Sequence, residues 1–479
     1  MHAITQMEYY MDIISKIKNL FIKNTKNTEI KHSRDIQIQK GIYRYNKEGK
    51  IVQLKVEDSG LGLLIVDGTK IECLNSTACE FMKMYLEGLE EQEAIKRITK
   101  SFKIKKEDAQ RDYRSFIFEM DKFIDSEDKD IEIETVSQSS SGHQSIKMDS
   151  KQTEKGIWDL QNYSLNSPLR FDLALTYRCN NKCAHCYIPH ERFSTDGKKP
   201  LGLEAWKKVI DVVYNVGVPH ICFTGGEPTL FQHLPELISY ARTKNLLTGL
   251  ITNGRALSEK SYVKKLVESG LDHVQITLES HIPEVHDKMV CVDGAWKETV
   301  EGIRNCVGKL HTITNSTLTK LNAPTFEDTL VFLKSHGIRT FASNSLIHSG
   351  KGIDNEIGIN ESELEPILKR ILTKANELSL NFLWYTPTRY CVLDPVTLGL
   401  GIKQCSAANV NMCIEPDGGV LPCQSFYEPV GNILNDDFDK IWNHTRCKWI
   451  REREYAMEKC KTCEKFDLCG CGCPLFLMH

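Results

Sequence analysis

Several features that would assign this 479-residue chain to a common functional class are missing or scarce. No apolar run reaches the roughly 18 residues that a transmembrane helix needs, so we expect no membrane span. The first residues, MHAITQMEYYMDIISKIKNLF, lack the continuous apolar stretch and the small-residue cleavage site of a secretory signal. A formal net charge of -3 gives no indication of nucleic-acid binding. These absences predict a cytoplasmic protein without a nucleic-acid partner.

Cysteine is scarce at one end of the chain and concentrated at the other. Of the 18 cysteines, only Cys73 and Cys79 fall in the first 150 residues, whereas many crowd together from Cys405 onward. A reducing cytoplasm does not favour a disulfide framework, and metal ligation is the main reason to retain so many thiols there. The uneven distribution therefore predicts metal sites.

Changes in composition divide the chain into regions. Before residue 125, short alternating strands followed by three helices predict a winged-helix-like domain. The segment that follows is rich in serine and charge and has no apolar period, so we expect it to be a flexible linker. After it, strands and helices alternate, which predicts a parallel α/β sheet, open or barrel-like. The predicted regions are 1–124 (with a core at 38–124), the linker 125–165, the α/β domain 166–350, a bridging region 351–390 and a cysteine-rich domain 391–479.

Three cysteines with CxxxCxxC spacing, Cys179, Cys183 and Cys186, directly follow the strand-like segment FDLALTY. Three thiolates can hold a 4Fe–4S cluster and leave one iron without a protein ligand. On spacing alone, the alternative is a zinc site completed by His185 or His190.

A second motif, FTGGEPTL at 223–230, ends the next predicted strand. Its two glycines let backbone groups approach a ligand closely, and its glutamate can accept hydrogen bonds from an ammonium group. Together the two motifs resemble the radical S-adenosylmethionine (radical SAM) enzymes over roughly 170–350, and the combination removes the zinc alternative.

The resemblance implies a partial (β/α)6 radical SAM barrel with Cys179, Cys183 and Cys186 holding the cluster. It also implies reductive cleavage of S-adenosylmethionine to a 5′-deoxyadenosyl radical, which abstracts a substrate hydrogen. Relatives tend to have an arginine shortly after "HD", a position near which this chain offers Lys288. The residues implied to contact S-adenosylmethionine are Tyr187, Gly225, Gly226, Glu227, Pro228, Asn253, Thr277 and Lys288.

The C-terminal cysteines resemble the SPASM extension of radical SAM peptide-modifying enzymes, which usually holds two auxiliary 4Fe–4S clusters. The chain would then carry three such clusters in all. For the first auxiliary cluster the resemblance implies the ligands Cys405, Cys413, Cys423 and Cys473. For the second it implies Cys460, Cys463 and Cys469.

The fourth ligand of this second auxiliary cluster is open, because no cysteine follows Cys473 before the sequence stops at His479. Either the cluster has an open iron, or Cys471, Cys447, Cys391 or a water completes it. An open iron would let a substrate thiolate bind and be joined to carbon as a thioether. A pair of zinc knuckles is the alternative for this segment.

The N-terminal domain resembles the PqqD-like recognition element of enzymes that modify RiPPs, the ribosomally made and post-translationally modified peptides. The resemblance rests on DGTKIECLNSTACEFMKMYLEG followed by AIKRITKSF, and it covers roughly 38–125. It implies that the leader of a precursor peptide adds a strand to the sheet edge and packs against a helix.

These resemblances predict a radical SAM peptide maturase that forms a thioether or carbon–carbon crosslink in a precursor peptide. A flavodoxin- or ferredoxin-type protein would donate the electrons. The alternative is a radical SAM/SPASM enzyme acting on a tetrapyrrole side chain or on a protein residue. A non-catalytic iron–sulfur carrier or DNA-binding regulator is less favoured, because the CxxxCxxC and GGEP motifs are intact and no dense basic helix is present. No residue is predicted as a general acid or base.

Overall fold

The computed structural model describes residues 38–68, 70–102, 104–125, 165–193, 199–353 and 355–478. The predicted linker at 125–165 lies almost entirely outside the described residues, as does the part of the N-terminal region before residue 38. Within the described ranges, no helix is both long and apolar enough to cross a membrane.

An antiparallel sheet of four strands begins the described chain, in the spatial order β1-β2-β3-β4. Its strands are β1 (Gly41–Lys47), β2 (Lys50–Val56), β3 (Gly62–Val66) and β4 (Lys70–Leu74). Glu48 and Gly49 turn the first hairpin with φ of 52° and 84°, a region that glycine adopts without steric cost. These strands and turns agree with those predicted from the alternating apolar residues.

Three helices cover one face of this N-terminal sheet: α1 (Ser76–Leu86), α2 (Glu91–Phe102) and α3 (Lys106–Asp125). Asn75 caps α1, because its side chain accepts a hydrogen bond from the Ala78 amide at 2.8 Å. Met82 of α1 and Ile124 of α3 pack with Leu54 of β2 in one buried cluster. The predicted winged-helix-like arrangement of strands and helices is therefore present.

A parallel sheet with crossover helices forms the centre of the molecule. Its strands are β5 (Arg170–Thr176), β6 (His220–Gly225), β7 (Leu247–Thr252), β8 (His273–Thr277), β9 (His311–Thr317) and β10 (Thr340–Asn344). The helices between them are α4 (Leu203–Asn215), α5 (Leu234–Thr243), α6 (Lys260–Glu268), α7 (Pro283–Val290), α8 (Ala295–Cys306) and α9 (Phe326–Ser335). This is the predicted partial barrel of six βα units.

The sheet extends beyond these six strands on both sides. On one side, β11 (Asn381–Trp384) follows helix α10 (Leu364–Glu377) and pairs in parallel with β10. On the other, β12 (Asn411–Ile414) pairs in parallel with β5, and β13 (Val420–Leu421) pairs antiparallel with β12. The sheet thus has nine strands, and the cysteine-rich region supplies two of them.

Short helices and turns make up the remainder of the C-terminal region. They are α11 (Phe438–Trp442), α12 (Thr445–Arg451), α13 (Glu458–Lys461), α14 (Phe466–Cys469) and α15 (Pro474–Met478). Phe438, Trp442 and Leu475 belong to the same buried cluster as the barrel strands, so this region shares the main core.

The N-terminal sheet packs directly on the barrel with the face that its helices leave uncovered. Ile42, Leu63 and Ile65 join the main core of the barrel, whereas their neighbours on the opposite face pack under the helices. Arg44 of β1 forms a two-pronged ion pair with Asp272, just before β8, at 2.6 and 3.1 Å. The side-chain amide of Gln53 donates to the carbonyl oxygen of Pro219 at 3.1 Å. The N-terminal domain therefore closes the end of the barrel at which the parallel strands begin.

Candidate active site

The three cysteines of the CxxxCxxC motif lie in a loop that directly follows β5. Backbone hydrogen bonds hold this loop although it has no regular secondary structure. The amides of Lys182 and Ala184 donate to the carbonyls at the end of α7, at 3.0 and 2.9 Å, and the Lys351 amide donates to the Cys186 carbonyl at 2.8 Å. These hydrogen bonds tie the loop to the end of α7 and to the segment that contains Lys351.

Two side chains from the loop after β7 hold the same cysteine loop. Arg255 donates to the Asn180 carbonyl oxygen at 2.7 Å and to the Asn181 side-chain oxygen at 3.0 Å. Asn253 donates to the Asn180 side-chain oxygen at 2.7 Å. Sequence analysis predicted Asn253 as a site residue and missed Arg255, for which the only signal was a charged residue directly after the TNG turn.

Gly225 and Gly226 allow the end of β6 to approach the neighbouring strand β5. A Cβ atom on Gly226 would lie 2.4 Å from the Tyr177 carbonyl oxygen, and one on Gly225 would lie 2.2 Å from that of Thr176. Gly225 also has a φ of 131°, which side chains rarely tolerate. The two glycines are therefore required by contact with the protein itself, in addition to any contact with a ligand.

Glu227 is fully buried and joins the ends of two strands. One of its carboxylate oxygens accepts hydrogen bonds from the hydroxyls of Thr229 and Thr252 at 2.6 and 2.7 Å. The other accepts from the Asn253 amide at 2.9 Å. Burial raises the pKa of the Glu227 carboxyl, and these donors oppose that rise. In this geometry Glu227 positions Asn253 and does not line the cavity described next.

A cavity of about 1210 Å³ opens beside the cysteine loop and runs through the barrel. Its volume exceeds the roughly 300–1,000 Å³ of typical ligand pockets, so it has room for a cofactor and part of a second molecule. The predicted cofactor contacts that line it are Tyr187, Gly225, Gly226, Asn253 and Thr277. Those that do not line it are Glu227, Pro228 and Lys288, and Lys288 is exposed on α7.

His185 and Glu279 form a polar contact inside this cavity. His185 Nε2 lies 3.0 Å from Glu279 Oε1, at an ion-pair distance without the alignment of a hydrogen bond. Glu279 is fully buried, and its other oxygen accepts from the Thr317 amide at 2.9 Å. Sequence analysis did not single out Glu279. The Glu279 carboxylate thus lies against His185, which directly precedes the third cysteine of the motif.

Cysteines from the C-terminal region also line this cavity. Cys405, Cys423 and Cys473 are among its lining residues, and Cys413 lies buried behind them on β12. The Cys405 thiol lies within electrostatic range of those of Cys423 and Cys473, and the Cys413 thiol within range of that of Cys423. Burial raises the pKa of Cys423 to about 12. The structure therefore brings together all four predicted ligands of the first auxiliary cluster.

Two family models match the regions that contain these sites. A model of the radical SAM superfamily matches residues 173–333, and a model of the SPASM iron–sulfur cluster-binding domain matches residues 405–464. The chain contains a radical SAM domain and a SPASM domain. Iron–sulfur clusters and S-adenosylmethionine are thereby confirmed as its cofactor classes, whereas the number of clusters stays a prediction.

Curated relatives extend across both domains. The chain is 27% identical over 328 residues to the Fe-coproporphyrin III synthase of Methanosarcina barkeri, an alignment that covers 62% of this chain and 80% of the relative. It is 25% identical over 319 residues to the PqqA peptide cyclase of Rhizobium meliloti, covering 64% and 82%. Both relatives are enzymes, and this chain, which contains a radical SAM domain, is an enzyme.

A solved structure resembles nearly the whole fold. SuiB of Streptococcus suis, bound to its precursor peptide SuiA, superposes with a TM-score of 0.64 and 17% identity. The superposition covers 91% of this chain and 97% of SuiB, and the structure of SuiB bound to S-adenosylmethionine gives a TM-score of 0.61. At this identity the match shows a shared fold.

The remaining SPASM cysteines form a separate group outside the cavity. Cys460 lies on the short helix α13, and Cys469 is the last residue of α14. Cys463 lies between the two helices and is exposed. The Cys460 thiol lies within electrostatic range of those of Cys391, Cys469 and Cys471. Cys460 and Cys469, two of the three predicted ligands, are thus close together, with two further thiols beside them.

The donor sets of the radical SAM and SPASM domains suit iron–sulfur groups, because they consist of clustered thiols that no disulfide joins. In the part of the chain that the structure describes, no three His, Cys, Asp or Glu side chains are arranged to hold a single metal ion. A 4Fe–4S cluster needs a different arrangement, since each thiolate bonds its own iron.

The far end of the cavity lies at the start of the barrel strands. Arg170 lines it there, and its Nε lies 3.0 Å from a carboxylate oxygen of the fully buried Asp172. The Nε2 atoms of His220 and His273 are 2.9 Å apart. Burial lowers the pKa of His273 to about 4 and that of His220 well below its ordinary value, so both rings are neutral at pH 7. Ile71 of the N-terminal sheet completes this end.

Proposed function

We propose that this enzyme is a maturase that forms a thioether or carbon–carbon crosslink in a ribosomally made precursor peptide. The observation that carries the proposal is the N-terminal domain, a sheet with three helices packed on the radical SAM barrel. The whole arrangement resembles SuiB, whose structure contains a precursor peptide, over 91% of this chain. The relative named PqqA peptide cyclase agrees with a peptide substrate.

The leader of the precursor has a suitable place at the outer edge of β1, where it would add a strand to the PqqD-like sheet. Phe118 on α3 is 58% exposed, an unusual state for a phenylalanine. One turn further along α3, Asp121 forms an ion pair with Lys47 at the end of β1. Phe118 therefore lies on the face of α3 that is next to the edge of β1, where an apolar side chain of the leader would pack against it.

The core of the peptide would be modified in the cavity between the CxxxCxxC loop and the first auxiliary cysteines. A bound 4Fe–4S cluster and S-adenosylmethionine would supply the 5′-deoxyadenosyl radical. We assign the radical SAM cluster to Cys179, Cys183 and Cys186 and the two auxiliary clusters to the SPASM cysteines, with a flavodoxin- or ferredoxin-type donor. In this scheme Arg255 and Asn253 hold the cysteine loop. The free thiols suit the reducing cytoplasm.

The test uses the anaerobically reconstituted enzyme with S-adenosylmethionine, a reductant and each short peptide found to be encoded by a reading frame next to its gene. We expect the peptide to lose two hydrogens by mass spectrometry, because a crosslink replaces two bonds to hydrogen. Phe118→Ser should weaken peptide binding about tenfold, or about 1.4 kcal/mol, by fluorescence anisotropy. The matched control is Leu61→Ser, which changes a residue 42% exposed in the turn at the opposite end of the sheet. An unmodified peptide, or equal weakening by both variants, would contradict the proposal.

A second candidate is modification of a tetrapyrrole, which the Fe-coproporphyrin III synthase relative favours. Its acidic side chains could approach Arg170 at the far end of the cavity. Replacing the peptide by an iron tetrapyrrole that carries additional side-chain carboxyl groups distinguishes the two. Formation of iron coproporphyrin III, the product for which the relative is named, with no change in the peptide, would replace the first proposal by the second.

A further inference from the structure

Sequence analysis left the fourth ligand of the second auxiliary group open, and the structure separates the three cysteine candidates for that place. Cys447 is fully buried in the main hydrophobic core on α12. Burial raises the pKa of its thiol, and among the described residues Arg451 is the charged group that opposes this rise. No thiol contributes to that shift, and the position of Cys447 in the core makes it a packing residue.

Cys471 contacts one of the predicted ligands directly. Its Sγ donates a hydrogen bond to Cys460 Sγ at 3.4 Å, and its side chain is almost completely buried. The ligands of a 4Fe–4S cluster bond different irons and stand apart from one another. Cys471 is thus placed as a hydrogen-bond donor to a ligand sulfur, a contact that tunes the reduction potential of such clusters.

Cys391 lies in a loop that is attached to the group at both ends. Before it, the Tyr390 amide donates to Cys469 Sγ at 3.3 Å. After it, Asp394 forms an ion pair of 2.7 Å with Lys465, which directly precedes α14. The Cys391 thiol is exposed and lies within electrostatic range of both Cys460 and Cys469, without contacting either. Cys391 is thus near both predicted ligands without touching either, as is expected of ligands that bond different irons.

We propose that Cys391 is the fourth ligand of a 4Fe–4S cluster held by Cys460, Cys463 and Cys469. The inference rests on the auxiliary clusters of the proposed function. It means that this cluster has no open iron, so it exchanges electrons and does not bind a substrate thiolate. The thioether route through an open auxiliary iron, predicted from the sequence, would not operate at this site.

The experiment compares full-length variants in a Cys179/Cys183/Cys186→Ala background, so that only the auxiliary clusters report. Anaerobic reconstitution should give about eight irons per chain, and mild ferricyanide oxidation should give no 3Fe–4S signal by electron paramagnetic resonance. Adding Cys391→Ala should create one such signal per chain, because an iron without a protein ligand is lost on oxidation. Cys471→Ala should keep the iron and shift the reduction potential. Cys447→Ala is the matched control and should change neither.

Three results would overturn the proposal. One is a 3Fe–4S signal in the background protein itself, which would mean an open iron. Another is the appearance of that signal with Cys471→Ala and its absence with Cys391→Ala. The third is an iron content near four, which would mean that the second group holds no cluster. None of these readouts requires a peptide, so failure of the maturase proposal would be seen separately.

Discussion

The two ends of the barrel are built in different ways around one cavity. At the end where the strands finish, irregular loops hold Cys179, Cys183 and Cys186, and polar side chains such as Arg255 fix those loops. At the end where the strands begin, a separate domain packs its sheet against the barrel, mainly through apolar residues and one buried ion pair. The candidate cluster ligands are thus concentrated at one end, and the other end closes the cavity.

This difference changes how the N-terminal domain should be tested. If it were attached only through a linker, its deletion would leave the barrel intact. Here the sheet covers Leu247 and pairs with Asp272, and Ile65 and Ile71 line the cavity itself. Deletion would therefore open the barrel and expose apolar surface. Single substitutions therefore test the role of each end of the barrel separately.

The largest expected effect is at the end that carries the cysteine loop. Cys183→Ala should abolish 5′-deoxyadenosine formation and remove about four irons per chain, because two thiolates do not retain the cluster. The matched control is Cys222→Ala, which removes a buried thiol from β6. It should keep both the iron and the deoxyadenosine and cost about 1 kcal/mol through the small cavity it leaves. Deoxyadenosine formation by Cys183→Ala at the control rate would refute the assignment of the chemistry to this end.

A smaller effect, in stability alone, is expected at the opposite end. Arg44→Met leaves Asp272 with only Thr248 and the more distant Arg242 as partners. We expect a loss of about 2–4 kcal/mol in the free energy of unfolding, measured by urea denaturation, because a nearly buried carboxylate loses its partner.

Lys40→Met in the same domain is the control for Arg44→Met. It removes an exposed pair with Asp58, in which both side chains are largely accessible to water, so its effect should stay within about 0.5 kcal/mol. Deoxyadenosine formation should persist in both variants. If Arg44→Met abolished it without loss of stability, the separation between the two ends would be wrong.

The strands and turns of both regions could be predicted from the sequence, because apolar periodicity and turn residues are local signals. The CxxxCxxC motif was equally recognisable, since its three cysteines follow one another in a single loop. The tertiary contacts that complete each end of the barrel could not be predicted in this way. Arg44 meets Asp272 across more than 200 positions, and β12 joins β5 only after the barrel has closed. Such pairings depend on tertiary packing, which leaves no local pattern.

The smallest expected effect concerns the dependence of stability on pH at the closed end. Burial holds the pKa of His273 at about 4, against an ordinary value of 6.5. As the pH falls from 6.5 toward 4, the unfolded chain therefore binds a proton that the folded chain does not, and the free energy of unfolding falls. His220 responds in the same direction.

His273→Gln, which retains a group able to hydrogen-bond to His220, should reduce the slope of unfolding free energy against pH by up to about one proton. Parallel curves for His273→Gln and the wild-type enzyme would show that this ring takes up its proton in the folded barrel as readily as in water.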